Sequence, residues 1–147
     1  ERELPLRYAG ISTCFRREVG KMSEDIRGIF RVHQFDKVEQ FCITTADLCE
    51  SKRMHQEMLQ CAEDFHRSLG LAYRVVKVVS GELNDAATMK YDLEGWFPGQ
   101  GAYRELVSCS NCTDFQSRAT DVRYRPSADG QALAPLAHVH MLNSTLT

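Results

Sequence analysis

The sequence has no apolar run that approaches the ~20 residues a helix needs to span a bilayer. It has no excess of one charge either. Eighteen Lys and Arg residues face 20 Asp and Glu residues, for a formal net charge of −2. No global field therefore draws the chain toward nucleic acid or a membrane surface, and any such contact must be local. A glycine-rich phosphate loop is missing too. Gly99-Gln100-Gly101 lacks the onward spacing and the lysine of the usual versions, so a nucleotide here would be gripped by arginine side chains. No repeat, low-complexity tract or secretory leader is visible. The opening Glu1-Arg2-Glu3 lacks an initiator Met, which reads as a start inside a longer protein.

The six cysteines, Cys14, Cys42, Cys49, Cys61, Cys109 and Cys112, do not have the spacing of a small secreted disulfide framework. They read as reduced thiols of a cytosolic protein. Cys14, Cys42, Cys49 and Cys61 are expected to act as small buried hydrophobes. The length suits one domain, large enough to bury about two-thirds of the surface of its unfolded chain.

What is present is a succession of strand-like segments around one clear helix. Leu4 to Gly20 reads as loop then strand, Lys21 to Gly28 as a polar loop, and Ile29 to Thr44 as a long strand. Thr44 or Thr45 is placed to cap a helix with Asp47 in its first turn. Met54, Met58, Cys61, Ala62, Phe65 and Leu69 then recur at helical spacing as a core-facing stripe, and Gly70 is a natural stop. Leu71 to Ser80, rich in valine, reads as a buried strand. Gly81 to Ala87 reads as a turn-rich link, and Met89 to Trp96 and Ala102 to Cys109 as strands split by Phe97-Pro98-Gly99-Gln100-Gly101. Ser110 to Arg118 reads as a loop entering a helix, Val122 to Pro126 as a short strand, Ser127 to Pro135 as a surface loop and His138 to Leu142 as a last strand. Many strands with long connections argue for an α+β layout, an antiparallel sheet flanked by helices.

Two of these strands carry an unusual load. Side chains two apart share a face of a strand. Arg31, Lys37, Phe35 and Glu39 then face one way on the second strand, and Arg16 and Glu18 point together on the first. A hairpin of the two presents guanidiniums, an aromatic ring and carboxylates on an open surface. That set suits a nucleotide plus a small ammonium-bearing ligand, and suits a dry core badly.

Phe15-Arg16-Arg17-Glu18-Val19-Gly20 and Arg31-Val32-His33-Gln34-Phe35-Asp36-Lys37-Val38-Glu39 resemble motif 2 of the seryl-tRNA synthetases, which are class II aminoacyl-tRNA synthetases. Lys90 to Glu105, then Ser108-Cys109-Ser110-Asn111-Cys112 and Asp114-Phe115-Gln116-Ser117-Arg118, resemble that family's next block. Leu142-Asn143-Ser144-Thr145 resembles the opening of motif 3 in its eukaryotic form. The resemblance covers nearly the whole chain apart from the Ser127 to Pro135 loop. It makes residues 1–147 part of an aminoacylation catalytic domain, from motif 2 to the start of motif 3. It implies a ligase that joins L-serine to ATP as seryl-adenylate, then transfers serine to tRNA(Ser), and to tRNA(Sec), in the cytoplasm. The full-length enzyme would be a homodimer with no membrane association.

The resemblance also implies roles, which chemistry supports. Arg16 matches the arginine on the α-phosphate, where a planar guanidinium binds oxygens bidentately and stabilises charge growing on phosphorus. Glu18 matches the reader of the adenine amino group. Phe35 matches the ring stacked on adenine, a contact worth about 1–3 kcal/mol. Arg31 matches a second arginine at the nucleotide. Glu39 matches the serine-pocket carboxylate, with Asn143 and Thr145 near the substrate hydroxyl. A site built to bond a hydroxyl rejects the analogue lacking it by about 10⁴–10⁵. Glu105 and Ser108 match residues that hold Mg²⁺ on the ATP phosphates, and oxygen donors suit that hard ion. A regular strand would not put Glu105 and Ser108 on one face, so a bulge near Leu106-Val107 is expected. No protein nucleophile or general base is needed, because the serine carboxylate itself attacks phosphorus.

By the same resemblance, motif 1 with the dimer interface, a serine-binding Thr-x-Glu segment and the tRNA-binding helical arm would precede residue 1. The motif 3 arginine would follow Thr147. Little or no activation by this chain alone is the expectation. Three other readings compete. Cys109-x-x-Cys112 with His138-x-His140 supplies a Cys₂His₂ zinc set. A synthetase-like regulator that has lost catalysis is the second, and its expected decay is hard to square with Arg16, Glu18, Phe35, Glu39 and Glu105 all being kept. An ATP-binding domain for another amino acid is the third, and the pairing of Glu39 with Asn143 and Thr145 disfavours it.

Overall fold

The computed structural model describes residues 2–17, 32–127 and 134–146. Glu18, Arg31, the Lys21 to Gly28 loop and most of the Ser127 to Pro135 loop lie outside the described residues.

The α+β expectation holds. Strands β1 (Leu6–Phe15), β2 (Gln34–Thr44), β3 (Tyr73–Lys77), β4 (Met89–Phe97), β5 (Ala102–Asn111) and β8 (His140–Leu146) form a six-stranded sheet in the order β1-β2-β8-β5-β4-β3. Every pairing is antiparallel. The short strands β6 (Arg123–Tyr124) and β7 (Ala137–His138) pair separately. Helix α1 (Leu48–Ser68) lies on one face of the large sheet, and α2 (Phe115–Thr120) is a single short helix after β5.

The two faces follow from the alternation of side chains along a strand. On the helix-side face, Cys42 of β2, Cys109 of β5 and Leu142 of β8 meet Met54, Met58 and Leu59 of α1 in one buried cluster. A second cluster joins Ala62 of α1 to Leu93 and Val107, with Tyr73, Leu106 and Leu146 packed against it. The Met stripe is therefore core. Its outer members are not: Cys61, Phe65 and Leu69 are exposed. Of the cysteines expected to be buried, Cys42 is, Cys14 is half-buried, and Cys49 and Cys61 are exposed. All six are free thiols.

Three further expectations are corrected. The cap of α1 is Asp47, whose Oδ1 accepts from the Cys49 N–H at 2.7 Å. Thr45 instead binds the Glu50 carboxylate through its own N–H at 3.3 Å, with its hydroxyl on the same oxygen. An ionised carboxylate is the stronger acceptor for the orphan amides of the first turn. The valine-rich β3 is an edge strand with one neighbour, so Val75 stays 37% exposed and Val79 beyond it 62% exposed. The last strand begins later and runs further than expected. The chain interrupts itself at Val139, and β8 continues to Leu146 in the middle of the sheet. Gly70, at φ 69°, ends α1 as anticipated, because the left-handed backbone there carries no Cβ penalty.

Candidate active site

The face opposite α1 gathers the candidate site residues among those described. In an antiparallel ladder, directly opposed residues point the same way. Glu39 on β2 opposes Thr145 on β8, Thr145 opposes Ser108 on β5, and Ser108 opposes Asp92 on β4. These four side chains therefore form one row across four strands, roughly 14 Å long at three strand spacings. In the neighbouring row, Phe41 opposes Asn143, Asn143 opposes Ser110, and Ser110 opposes Lys90. Glu39, Asn143, Thr145 and Ser108 are all half-buried, low enough to be held by their neighbours and open enough to meet a ligand.

The β1–β2 hairpin supplies the next part. Arg16 lies just past β1, and its N–H donates to the His33 carbonyl at 2.8 Å, extending the ladder by one residue. Phe35 opposes Cys14, two residues before Arg16, so Arg16 and Phe35 are diagonal neighbours. The guanidinium carbon sits 4.6 Å from the Phe35 ring centroid, and Lys37 Nζ sits 5.8 Å from it. Both fall within the range of attraction between a cation and the ring quadrupole.

Glu105 joins this face through an irregularity. The β4–β5 register runs Leu93 to Val107 and then Glu94 to Glu105, so Leu106 is an extra residue on β5. The bulge reverses the alternation and brings Glu105 to the same side as Ser108. Gly95 makes room for it. A Cβ there would meet Leu106 Cδ1 at 2.6 Å, so the bulged side chain occupies the space a larger residue would fill.

Two residues that the sequence reading left unassigned stand beside Glu105. Lys90 Nζ lies 3.3 Å from Asp92 Oδ1 and 4.0 Å from Glu105 Oε2. Partial burial and then the nearby Asp92 carboxylate push the Glu105 carboxyl up from the usual carboxylate range, while the Lys90 ammonium opposes them. Asp92 Oδ1 is buried without a hydrogen-bond partner. The signal for both residues was the alternation Lys90-x-Asp92-x-Glu94 on a strand, which places three charged groups on one face. Cys112 adds a support from below, its thiol 3.8 Å from Asn143 Oδ1.

The zinc set is not assembled. Cys109 faces α1, where its Sγ lies 3.9 Å from the His55 carbonyl. Burial pushes its thiol up to about 12. His138 faces Asp121 at 3.6 Å. Among the described residues no three His, Cys, Asp or Glu side chains are grouped to hold a metal.

An antiparallel sheet backed by one long helix, with arginine and aromatic groups on a hairpin at one end and oxygen donors at the other, is the layout of a class II synthetase core. The model of the tRNA synthetase class II core domain (G, H, P, S and T) matches residues 1–147, and the chain belongs to that family. Within it, the similarity is to enzymes for serine. The chain is 57% identical over 146 residues to the cytoplasmic serine–tRNA ligase of Dictyostelium discoideum, covering 99% of this chain and 32% of that protein. It is 54% identical over 144 residues to the cytoplasmic serine–tRNA ligase of Homo sapiens, covering 98% of this chain and 28% of that protein. The solved cytoplasmic serine–tRNA ligase of Naegleria fowleri in complex with AMP superposes with a TM-score of 0.88 at 54% identity, over 100% of this chain and 34% of that one. Seryl-tRNA synthetase from Pyrococcus horikoshii complexed with ATP gives 0.88 at 46% identity, over 98% of this chain and 31% of that one. The chain thus spans about a third of the length of the relatives it matches.

Proposed function

We propose that this chain is the segment of a cytoplasmic serine–tRNA ligase catalytic domain running from motif 2 to the start of motif 3. In this reading it binds ATP and L-serine, forms seryl-adenylate and serves the charging of tRNA(Ser) and tRNA(Sec). The single observation that supports it best is the shared face. Arg16 and Phe35 at the hairpin, Glu39 with Thr145 and Asn143 at the centre, and Ser108 with Glu105 beyond them all project from one side of the sheet. The relatives solved with AMP and with ATP add the nucleotide.

The residues then divide the work. Phe35 offers a ring for the adenine to stack on; the adenine and nucleotide roles that the resemblance gives Glu18 and Arg31 fall outside the described residues. Arg16 leaves the Phe35 ring for the α-phosphate, where a bidentate cation is worth most as negative charge grows. Glu39 accepts from the serine ammonium, while Thr145 and Asn143 take its hydroxyl. The serine carboxylate is the nucleophile, so the contribution of the protein is positioning and charge. The oxygen donors Glu105 and Ser108, with the orphaned Asp92 oxygen beside them, fit a hard divalent ion. Mg²⁺ held there would neutralise the phosphate charge and orient the leaving pyrophosphate. A homodimer follows from the same family reading.

Calorimetry with a non-hydrolysable seryl-adenylate analogue tests the reading. The full-length enzyme that contains this segment should bind it more tightly than the alanyl and threonyl counterparts. Equal affinity for all three would remove the serine assignment, and no affinity for any would remove the adenylate site.

A further inference from the structure

Lys90 is a poor fit for a site built to hold Mg²⁺, and its placement calls for a reason. Its side chain is 19% exposed and that of Asp92 14% exposed, so both charges have given up most of their water. The ammonium stands 3.3 Å from Asp92 Oδ1 and 4.0 Å from Glu105 Oε2. Yet Asp92 Oδ1 makes no hydrogen bond. The lysine is held by charge without directed bonds, which is an occupancy that another cation can replace. Lys90 also opposes Ser110, one row from the Asp92–Ser108 pair, and so lies at the edge of the donor set. A divalent ion on Glu105 and an ammonium against the same carboxylates would repel each other strongly in a partly dry setting.

We infer that Lys90 is a positioning residue that fills the Asp92–Glu105 acid pair when no divalent cation is bound. It offsets the repulsion between the two neighbouring carboxylates, and it disfavours metal binding before the nucleotide arrives. The phosphate charge of a metal–nucleotide bound there would draw the Lys90 ammonium aside. The inference rests on the reading of Glu105 and Ser108 as metal donors. It adds that the site is tuned by a resident cation to accept metal–nucleotide in preference to bare metal.

Binding of Mn²⁺ to the chain, followed by loss of the free-ion electron paramagnetic resonance signal without nucleotide, tests this. Lys90→Met should bind Mn²⁺ about tenfold more tightly than the parent. Lys90→Arg, which keeps the charge, should stay close to the parent. A residue of purely structural value would weaken binding when removed, so tightening is the distinguishing result. Circular dichroism checks that each variant folds, and Lys90→Gln replaces the Met variant if that one does not. Unchanged or weaker Mn²⁺ binding in the neutral variants overturns the inference and leaves the adenylate reading standing. No Mn²⁺ binding in any form overturns the inference together with the metal role of Glu105. The calorimetry with adenylate analogues then decides the remainder separately.

Discussion

Glu39 sits on β2, one strand in from the sheet edge, between Gly10 on one side and Thr145 on the other. The absent side chain at Gly10 leaves space above the carboxylate on the hairpin side, and the hydroxyl of Thr145 borders it on the other. A carboxylate so placed can take a charged donor from a small ligand. In a chimera carrying this chain in place of the matching third of the Dictyostelium discoideum enzyme, Glu39→Ala should raise the KM for serine by on the order of tenfold to a hundredfold. The KM for ATP should change little, as read by serine-dependent pyrophosphate exchange. Equal losses for both substrates would count against a serine contact. The cysteines make a second residue-scale case. Cys49 and Cys61 are exposed, whereas Cys109 is buried with its thiol pushed up to about 12. A thiolate is the reacting form. A maleimide should therefore label Cys49 and Cys61 in the folded chain, with Cys109 reacting only on denaturation. Peptide mapping after a timed pulse reads the order.

At the scale of elements, the β-bulge on β5 is the device that builds the distal end of the site. Leu106 is the extra residue, its half-buried side chain packed against the Ala62, Leu93 and Val107 cluster, and this frees Glu105 to face the same side as Ser108. The device depends on Gly95, where a Cβ would stand 2.6 Å from Leu106 Cδ1. Gly95→Ala forces the leucine to move inside a packed layer. The expected loss of stability is about 1–3 kcal/mol, measured by urea unfolding. Mn²⁺ binding should fall as well, although Gly95 carries no donor, because the bulge would shift and turn Glu105 away. A variant that loses stability but keeps full Mn²⁺ affinity would mean that the bulge and the donor set are independent.

For the whole molecule, the joint between α1 and the sheet runs through buried histidine. His55 is fully buried, its Nε2 donating to the Cys109 carbonyl at 3.0 Å and its Nδ1 without a partner. Burial holds its pKa below the usual 6.5, against the smaller pull of that carbonyl. His140 is lowered by burial too, with Asp114, Asp47 and Glu50 opposing. Both favour the neutral form when folded. Below pH 6.5 the unfolded chain takes up protons that the folded chain refuses, so stability falls as pH drops from 6.5 toward the folded values. It is fully present above that range. His55→Gln keeps a donor for the Cys109 carbonyl and does not titrate. Urea midpoints measured from pH 7.5 to 5 should decline less steeply in this variant than in the parent. Parallel slopes would remove His55 as a source of the acid sensitivity.

The sequence alone determined the order of the six sheet strands and two helices, the antiparallel α+β class, the stop at Gly70 and the shared face of Phe35, Lys37 and Glu39. These rest on local rules: alternation along a strand, helical spacing, and the backbone freedom of glycine. It also carried the need for an irregularity between Glu105 and Ser108, because the parity of a strand is a matter of counting. The tertiary structure decided what counting along one strand cannot reach. Thr145 became the neighbour of Glu39 only when β8 entered the sheet between β2 and β5. Cys61 and Phe65 stayed in the open because α1 covers part of one face, and β3 became an edge because no further strand pairs with it among the described residues. Lys90 and Asp92 met Glu105 because a leucine on the adjacent strand found space over a residue with no side chain. Which groups share a surface depends on strand order and register, and those are set by packing between segments far apart in the chain.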